Sequence, residues 1–207
     1  MIPDSLFADL AREAVRLETS PLELVGIVAT VANVWLLARN RVSGWPVGLV
    51  AVVAYCVVFF EAKLYADTLL QGFFFVTGIL GWMDWKYGAA GRTERPVTRL
   101  SARGWAIAAV AIVATSGLLG GAFHLFSDAA RPFLDSALTG ASVVAQLLLM
   151  RRVMDNWLIW IAADVLYVPL YLSRDLPLTA LLYAGLCGLA LHGYLSWRRV
   201  EGTADAA

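Results

Sequence analysis

The sequence predicts an all-α integral membrane protein. Seven transmembrane helices form two parallel three-helix repeats around a single linker helix, a three-plus-one-plus-three order, preceded by an N-terminal amphipathic helix. Three observations predict this. Of the 207 residues, 60% are hydrophobic and only 15% are charged, and the mean hydropathy is +0.70, unlike a soluble domain. The apolar residues fall into seven runs of about 17 to 23 residues, near the length that crosses a hydrocarbon core. A shift of 112 residues, the distance from Trp45 to Trp157, lays aromatic and charged residues of one half on those of the other.

Composition also excludes several classes. Basic and acidic residues balance at 16 each, and no basic cluster alternates with aromatics, so no nucleic-acid partner is expected. Cys56 and Cys187 fall inside apolar runs, where thiols act as small hydrophobes rather than a disulfide framework. His124 and His192 lack cysteine or carboxylate companions at ligand spacing, so no metal site is expected. No phosphate-binding glycine loop or other cofactor signature occurs. The first twenty residues lack the basic start and apolar core of a cleaved signal.

Residues 1–20 place Leu6, Leu10, Ala14 and Leu17 opposite Asp9, Arg12, Glu13 and Arg16, the pattern of an amphipathic surface helix. Ser20 caps the next helix with Pro21 at its first position. The first repeat is expected over 21–87. Its spans run from Leu22 to Ala38 with Glu23, Thr30 and Asn33, from Gly44 to Phe60, and from Ala66 to Trp85 with Gln71. On the third of these, Gln71, Phe75, Gly78, Trp82 and Trp85 are expected to share a face. Residues 88–132 hold a loop and the linker span Gly104 to Phe126, with the whole charged stretch Lys86 to Arg103 expected to be solvated. The second repeat, 133–199, has spans from Phe133 to Met150, Trp157 to Leu172 and Pro177 to Trp197; residues 200–207 are expected to be a disordered tail.

Eleven basic residues, among them Arg39, Arg41, Arg151, Arg152, Arg198 and Arg199, fall on one side of the membrane and five on the other. The positive-inside rule then puts the C-terminus in the cytoplasm and the N-terminus outside.

The shift extends beyond the tryptophans. Tyr55 falls on Tyr167, Gly81 on Gly193, Trp85 on Trp197, Glu23 on Asp135, Thr30 on Ser142 and Arg39 on Arg151. Four spans separate equivalent positions, so the copies keep one orientation, and parallel repeats of this kind place transport sites at the repeat interface near mid-membrane. The symmetry is broken where Gly48 faces Trp160, Val52 faces Asp164 and Gln71 faces Tyr183. In the second copy, Trp157, Trp160, Asp164, Tyr167 and Tyr171 recur at helical spacing in an otherwise apolar span, and an ionisable residue in mid-span marks a candidate pathway or pocket.

Trp45-Pro46-x-Gly48, Leu64-Tyr65-Ala66-Asp67-x-x-Leu70-Gln71, Gly81-Trp82-x-x-Trp85 and Asn156-Trp157-x-x-Trp160-x-x-x-Asp164-Val165 strongly resemble the Pnu-type vitamin transporters. The resemblance covers residues 21 to 199. It implies the same helix order, a homotrimer in a bacterial inner membrane, and facilitated diffusion of a B-vitamin-like substrate, nicotinamide riboside foremost, that a kinase then traps. It also implies a pocket at Gln71, Trp82, Trp160 and Tyr183. Asp164 stands where relatives can carry an amide, so thiamine and riboflavin remain alternatives, a buried anion suiting riboflavin less. Asn33, Gln146, Asn156 and Tyr167 join the candidate list as amide and aromatic groups suited to an amide, ribose hydroxyls and a cationic ring.

Other readings compete. Trp45, Trp85, Trp157 and Trp197 lie at span ends, where tryptophan anchors the membrane interface. The tyrosines can pack between helices, the amides and hydroxyls can bond helix to helix, and Asp164 can pair with a neighbouring polar group. A sugar-type facilitator shares parallel repeats, but Pro46 and Pro169 do not match under the shift. An enzyme would need a nucleophile with its base, which Ser116, Ser136 and Ser142 lack.

Overall fold

Hydropathy sets the element boundaries and local hydrogen bonds trim them. The computed structural model describes residues 20–61, 65–88, 96–126, 132–172 and 177–204. They form α1 (Pro21–Ala38), α2 (Gly44–Glu61), α3 (Tyr65–Tyr87), α4 (Ala102–Phe126), α5 (Pro132–Met150), α6 (Asn156–Leu172) and α7 (Pro177–Ala204). Five of these, α1, α2, α4, α5 and α7, are long and apolar enough to cross a membrane, and α6 is a shorter apolar helix. The amphipathic helix expected over 1–20 lies outside the described residues, except for Ser20. Its Oγ accepts the Glu23 N–H at 3.1 Å ahead of Pro21, capping α1 as expected.

Six helices close a ring. α1 packs on α2, α2 on α3, α3 on α5, α5 on α6, α6 on α7, and α7 back on α1. The two halves therefore meet along α3–α5 and α7–α1. Helix α4 lies outside the ring against α5, and its Val110, Val113, Leu118 and Leu125 point outward. Such a surface would be costly in water.

One end of the ring is closed by four tryptophans. Trp45 meets Trp85 edge to face at 5.4 Å, Trp157 meets Trp197 the same way at 5.6 Å, and Trp85 meets Trp197 at 5.7 Å. Each central indole bonds across the halves. Trp85 Nε1 donates to the carbonyl of Met150 at the end of α5, and Trp197 Nε1 donates to that of Leu37 at the end of α1, both at 3.0 Å. The rings fit because glycine faces them. A Cβ at Gly81 would come within 2.4 Å of the Trp45 indole, and one at Gly193 within 2.7 Å of Trp157.

Further contacts recur 112 residues apart. After α1, Asn40 N–H donates to Leu37 O and Arg41 N–H to Leu36 O; after α5, Arg152 N–H donates to Leu149 O and Val153 N–H to Leu148 O. Asn40 (φ 56°) and Arg152 (φ 54°) both adopt the left-handed conformation that ends the helix. The turns close with Trp45 N–H on Val42 O and Trp157 N–H on Met154 O.

Four expectations require correction. The tryptophans are not interfacial anchors: all four are at most 3% exposed, because depth along a span does not reveal which way a side chain faces. Arg152 does not join the exposed basic rim. It is buried with its guanidinium 4.5 Å over the Trp85 ring. The Lys86–Arg103 stretch is not wholly solvated, since residues 96–100 bond to the α5–α6 turn and bury Val97 in the tryptophan cluster. Nor is the start of the tail disordered, for α7 runs on to Ala204 and Glu201 pairs with Arg99 at 2.5 Å.

Gly81→Ala and Gly193→Ala each force a methyl into an indole and should cost about 1–3 kcal/mol by overpacking. Thermal unfolding in detergent measures this; wild-type midpoints for both variants would show that the tryptophan layer is not a packed core.

Candidate functional site

The interior polar groups lie on the seams of the ring, and helical rise sets their depth. Taking the tryptophan layer and the helix ends beside it as the reference level, Trp82, Trp160, Asn33 and Gln146 lie about 5–6 Å inward, Asp164 about 10 Å, Tyr167 about 15 Å, and Tyr183 and Gln71 about 21 Å.

Helix α6 carries the centre of the site. Trp157 is 2% exposed, Asp164 is 5% exposed, and Trp160 and Tyr167 are half-buried, so the expected common face of α6 turns inward; the Tyr171 side chain lies outside the described residues. Asn156, at the head of α6, is fully buried, but its Nδ2 donates to Val153 O at 2.7 Å. That bond closes the α5–α6 turn in the tryptophan layer and sets Asn156 apart from the deeper candidates. Trp160 bridges two apolar clusters, the tryptophan layer and a patch of α4, α5 and α6 centred on Ala145. Asp164 has no hydrogen-bond or ion-pair partner among the described residues, and Cys187 of α7 lies within its electrostatic reach. One turn further, Tyr167 packs on Tyr183 of α7 at 4.5 Å between ring centres, the two rings tilted by 33°. A buried carboxylate beside paired tyrosines suits a cationic ring.

Across the ring, α3 and α5 meet through Gln146, whose Nε2 donates to Thr77 Oγ1 at 3.4 Å. Thr77 in turn donates to Phe73 O at 2.8 Å in its own helix. The buried stripe of α3 is Thr77, Gly81 and Trp85, with Gly78 beside it, whereas Phe75 is 39% exposed. The expected face was therefore displaced, and Phe75 does not share it. Trp82 is half-buried against the tryptophan cluster, with Lys86 Nζ 5.8 Å from its ring. Gln71 is half-buried about 16 Å from Trp82 along the helix, level with Tyr183. On α1, Asn33 packs against Gly48 of α2, where an added Cβ would come within 2.9 Å of its amide. Its Oδ1 is buried without a hydrogen-bond partner among the described residues.

The structure thus brings together Tyr167 with Tyr183, and Trp82 with Trp160 around one cluster, with Asp164 between these two levels. It leaves Asn33 apart, on the α1–α2 contact, and Gln71 half-buried further along α3. The sequence reading omits Thr77 and takes Cys187 only as a small hydrophobe, although a lone threonine in mid-span is the kind of signal that could find the first. Among the described residues, no group of three His, Cys, Asp or Glu side chains could hold a metal ion. Nor does any Lys or Arg of the six ring helices lie between the tryptophan layer and the opposite end.

Comparison with known proteins agrees with this architecture. The nicotinamide riboside transporter PnuC of Escherichia coli (strain K12) is 27% identical over 205 residues, covering 87% of this chain and 86% of its own. That of Neisseria mucosa is 28% identical over 193 residues, covering 86% of this chain and 72% of its own. The crystal structure of the vitamin B3 transporter PnuC shares the fold, with a TM-score of 0.72 at 23% identity over 96% of this chain and 90% of that one. A family model described as nicotinamide mononucleotide transporter matches residues 20–199, and the chain belongs to that family.

Proposed function

We propose that this protein carries nicotinamide riboside across a bacterial inner membrane by facilitated diffusion, with phosphorylation by a kinase trapping the product. The observation that carries the reading is Asp164, a buried carboxylate in mid-span beside the tilted Tyr167–Tyr183 ring pair, in a chain whose relatives are named for that substrate. A carboxylate offsets the pyridinium charge, the aromatic faces hold the ring, and Gln71, Gln146 and Asn33 supply donors and acceptors for the amide and ribose hydroxyls. The family description names the mononucleotide, but a phosphate entering the ring would meet Asp164 and no Lys or Arg among the described residues. Charge therefore favours the riboside. Thiamine, also cationic, is the second reading, and riboflavin fits the carboxylate less well.

The arrangement follows from the same reading. Residues 21–87 and 133–199 act as parallel three-helix repeats with α4 as the linker that preserves their orientation, residues 1–20 as a surface helix, and the whole as a homotrimer. Recurring turn bonds, glycine–tryptophan contacts and cross-half indole bonds support the repeats. The exposed Arg39, Arg41, Arg151, Arg198 and Arg199 at the tryptophan end support a cytoplasmic C-terminus and an outer N-terminus.

Purified protein in liposomes should equilibrate nicotinamide riboside with no proton or sodium gradient; uptake that required either gradient would rule out facilitated diffusion, and tighter binding of thiamine or riboflavin would reassign the substrate. Asp164→Asn should raise the Kd for the riboside about tenfold, about 1.4 kcal/mol, yet leave the weak binding of its reduced, uncharged form unchanged. Calorimetry on both ligands checks this, and equal losses for both would mean that Asp164 acts through the fold. Gln71→Ala and Trp160→Phe should each weaken binding about tenfold in protein that elutes normally on gel filtration; wild-type affinity in both would displace the pocket from these seams.

A further inference from the structure

We infer that residues 96–100 form a releasable strap that locks the tryptophan end of the ring, so that solute passes that end only when the strap lifts. The inference rests on the transport reading above.

The strap is held on three sides. Thr98 forms a parallel bridge with Val153: its N–H donates to Arg152 O at 3.0 Å, and its carbonyl accepts the Met154 N–H at 2.8 Å. Leu100 N–H donates to Asp155 Oδ2 at 2.6 Å, and Arg99 Nε pairs with Glu201 Oε2 of α7. Val97 is then buried in the cluster that contains Leu37 and Ala38 of α1, Trp45 of α2, Trp85 of α3 and Trp197 of α7. A five-residue segment thus ties the α5–α6 turn to the end of α7 and puts its own apolar side chain where the two halves meet.

Parting α3 from α5, or α7 from α1, at this end must break the Trp85–Met150 or Trp197–Leu37 bond and separate the tryptophans around which Val97 is packed. The strap opposes that movement. Its ties differ in strength as a latch requires. The two bridge bonds and the charge-assisted bond to Asp155 sit in the turn, whereas the Arg99–Glu201 pair is exposed at the arginine, and exposed pairs are readily broken. That pair also raises the Arg99 pKa above its ordinary value, chiefly through the Glu201 hydrogen bond. The chain leads directly from the strap into α4, where Ser101 Oγ accepts the Gly104 N–H and Leu100 packs on the α4–α5–α6 cluster. Motion of α4 against α5 is therefore passed to the latch.

The test uses full-length protein with Cys56 and Cys187 retained, and each labelling or linking readout is taken as the difference from the parent treated identically. In it, Val97→Cys puts a thiol beneath the strap, and a membrane-impermeant maleimide reports its exposure. Arg99→Ala should speed labelling about threefold by favouring local opening. Separately, linking Arg99→Cys to Glu201→Cys with a short bis-methanethiosulfonate, each thiolate displacing methanesulfinate to form a reducible disulfide, should cut liposome uptake of nicotinamide riboside about tenfold. Cleavage should restore uptake, and equilibrium binding in detergent should hold throughout. Labelling indifferent to Arg99, or undiminished uptake after linking, overturns the strap. Binding lost on linking overturns it too, because the segment would then maintain the site instead of gating it. Failure of the unlinked protein to bind the riboside overturns the substrate reading alone, since the labelling arm uses no substrate.

Discussion

Two indole hydrogen bonds at one end of the ring bear on everything else in the structure. Lipid tails give helices no hydrophobic reason to associate, so cohesion must come from close packing and hydrogen bonds. The last carbonyls of a helix have no partner within it. Trp85 and Trp197 satisfy one such carbonyl each, and each does so on the helix of the opposite half. Each bond is worth about 0.6–2 kcal/mol in a membrane; the Leu37 carbonyl also accepts the Asn40 N–H, so Trp197 adds a second bond there. Packing multiplies the effect, because the indoles touch one another and lean on glycines that admit them.

With the scaffold secured at that end, the two halves are free to differ further in. Asn33 packs on Gly48 in the first half; the corresponding pair in the second is Ala145 and Trp160, large and small having changed places. Val52 becomes Asp164 and Gln71 becomes Tyr183. Aromatic side chains and a carboxylate thus lie on α6 and α7, and an amide and a hydroxyl meet between α5 and α3, with a second amide on α1. A ligand with one cationic aromatic end and one hydroxyl-rich end matches such a division better than two identical walls would.

The sequence made the helix boundaries legible because bilayer thickness imposes a length that hydropathy registers directly. Glycine and tryptophan at one offset announced the recurring contacts for a similar reason: a close approach tolerates few residue types. Orientation around each helix was harder to read. Trp45 and Trp157 have the depth of interfacial anchors, and only the glycines on neighbouring helices reveal that they face inward. Arg152 looked like one more cytoplasmic charge because the Trp85 ring that receives it lies 67 positions away in the chain. Residues 96–100 were obscured for another reason. Their ties are mostly backbone bonds, which any sequence except proline can make, so nothing in the side chains singled them out. For the candidate site, the inward face of α6 was legible, whereas α3 misled by placing Phe75 one step off the buried stripe.

The left-handed residues after α1 and α5 look equivalent, yet they respond differently to engineering. Asparagine tolerates that backbone readily, and the buried Asn40 Oδ1 has no hydrogen-bond partner among the described residues. Glycine at 40 would remove an unsatisfied carbonyl at little conformational loss. Arginine at 152 carries backbone strain of about 1–3 kcal/mol, comparable with the roughly 0.5–2 kcal/mol its guanidinium can regain over an indole. Glycine there would relieve the backbone and forfeit the cation beneath Trp85. A designer seeking a hardier carrier would therefore start at the first turn and leave the second untouched.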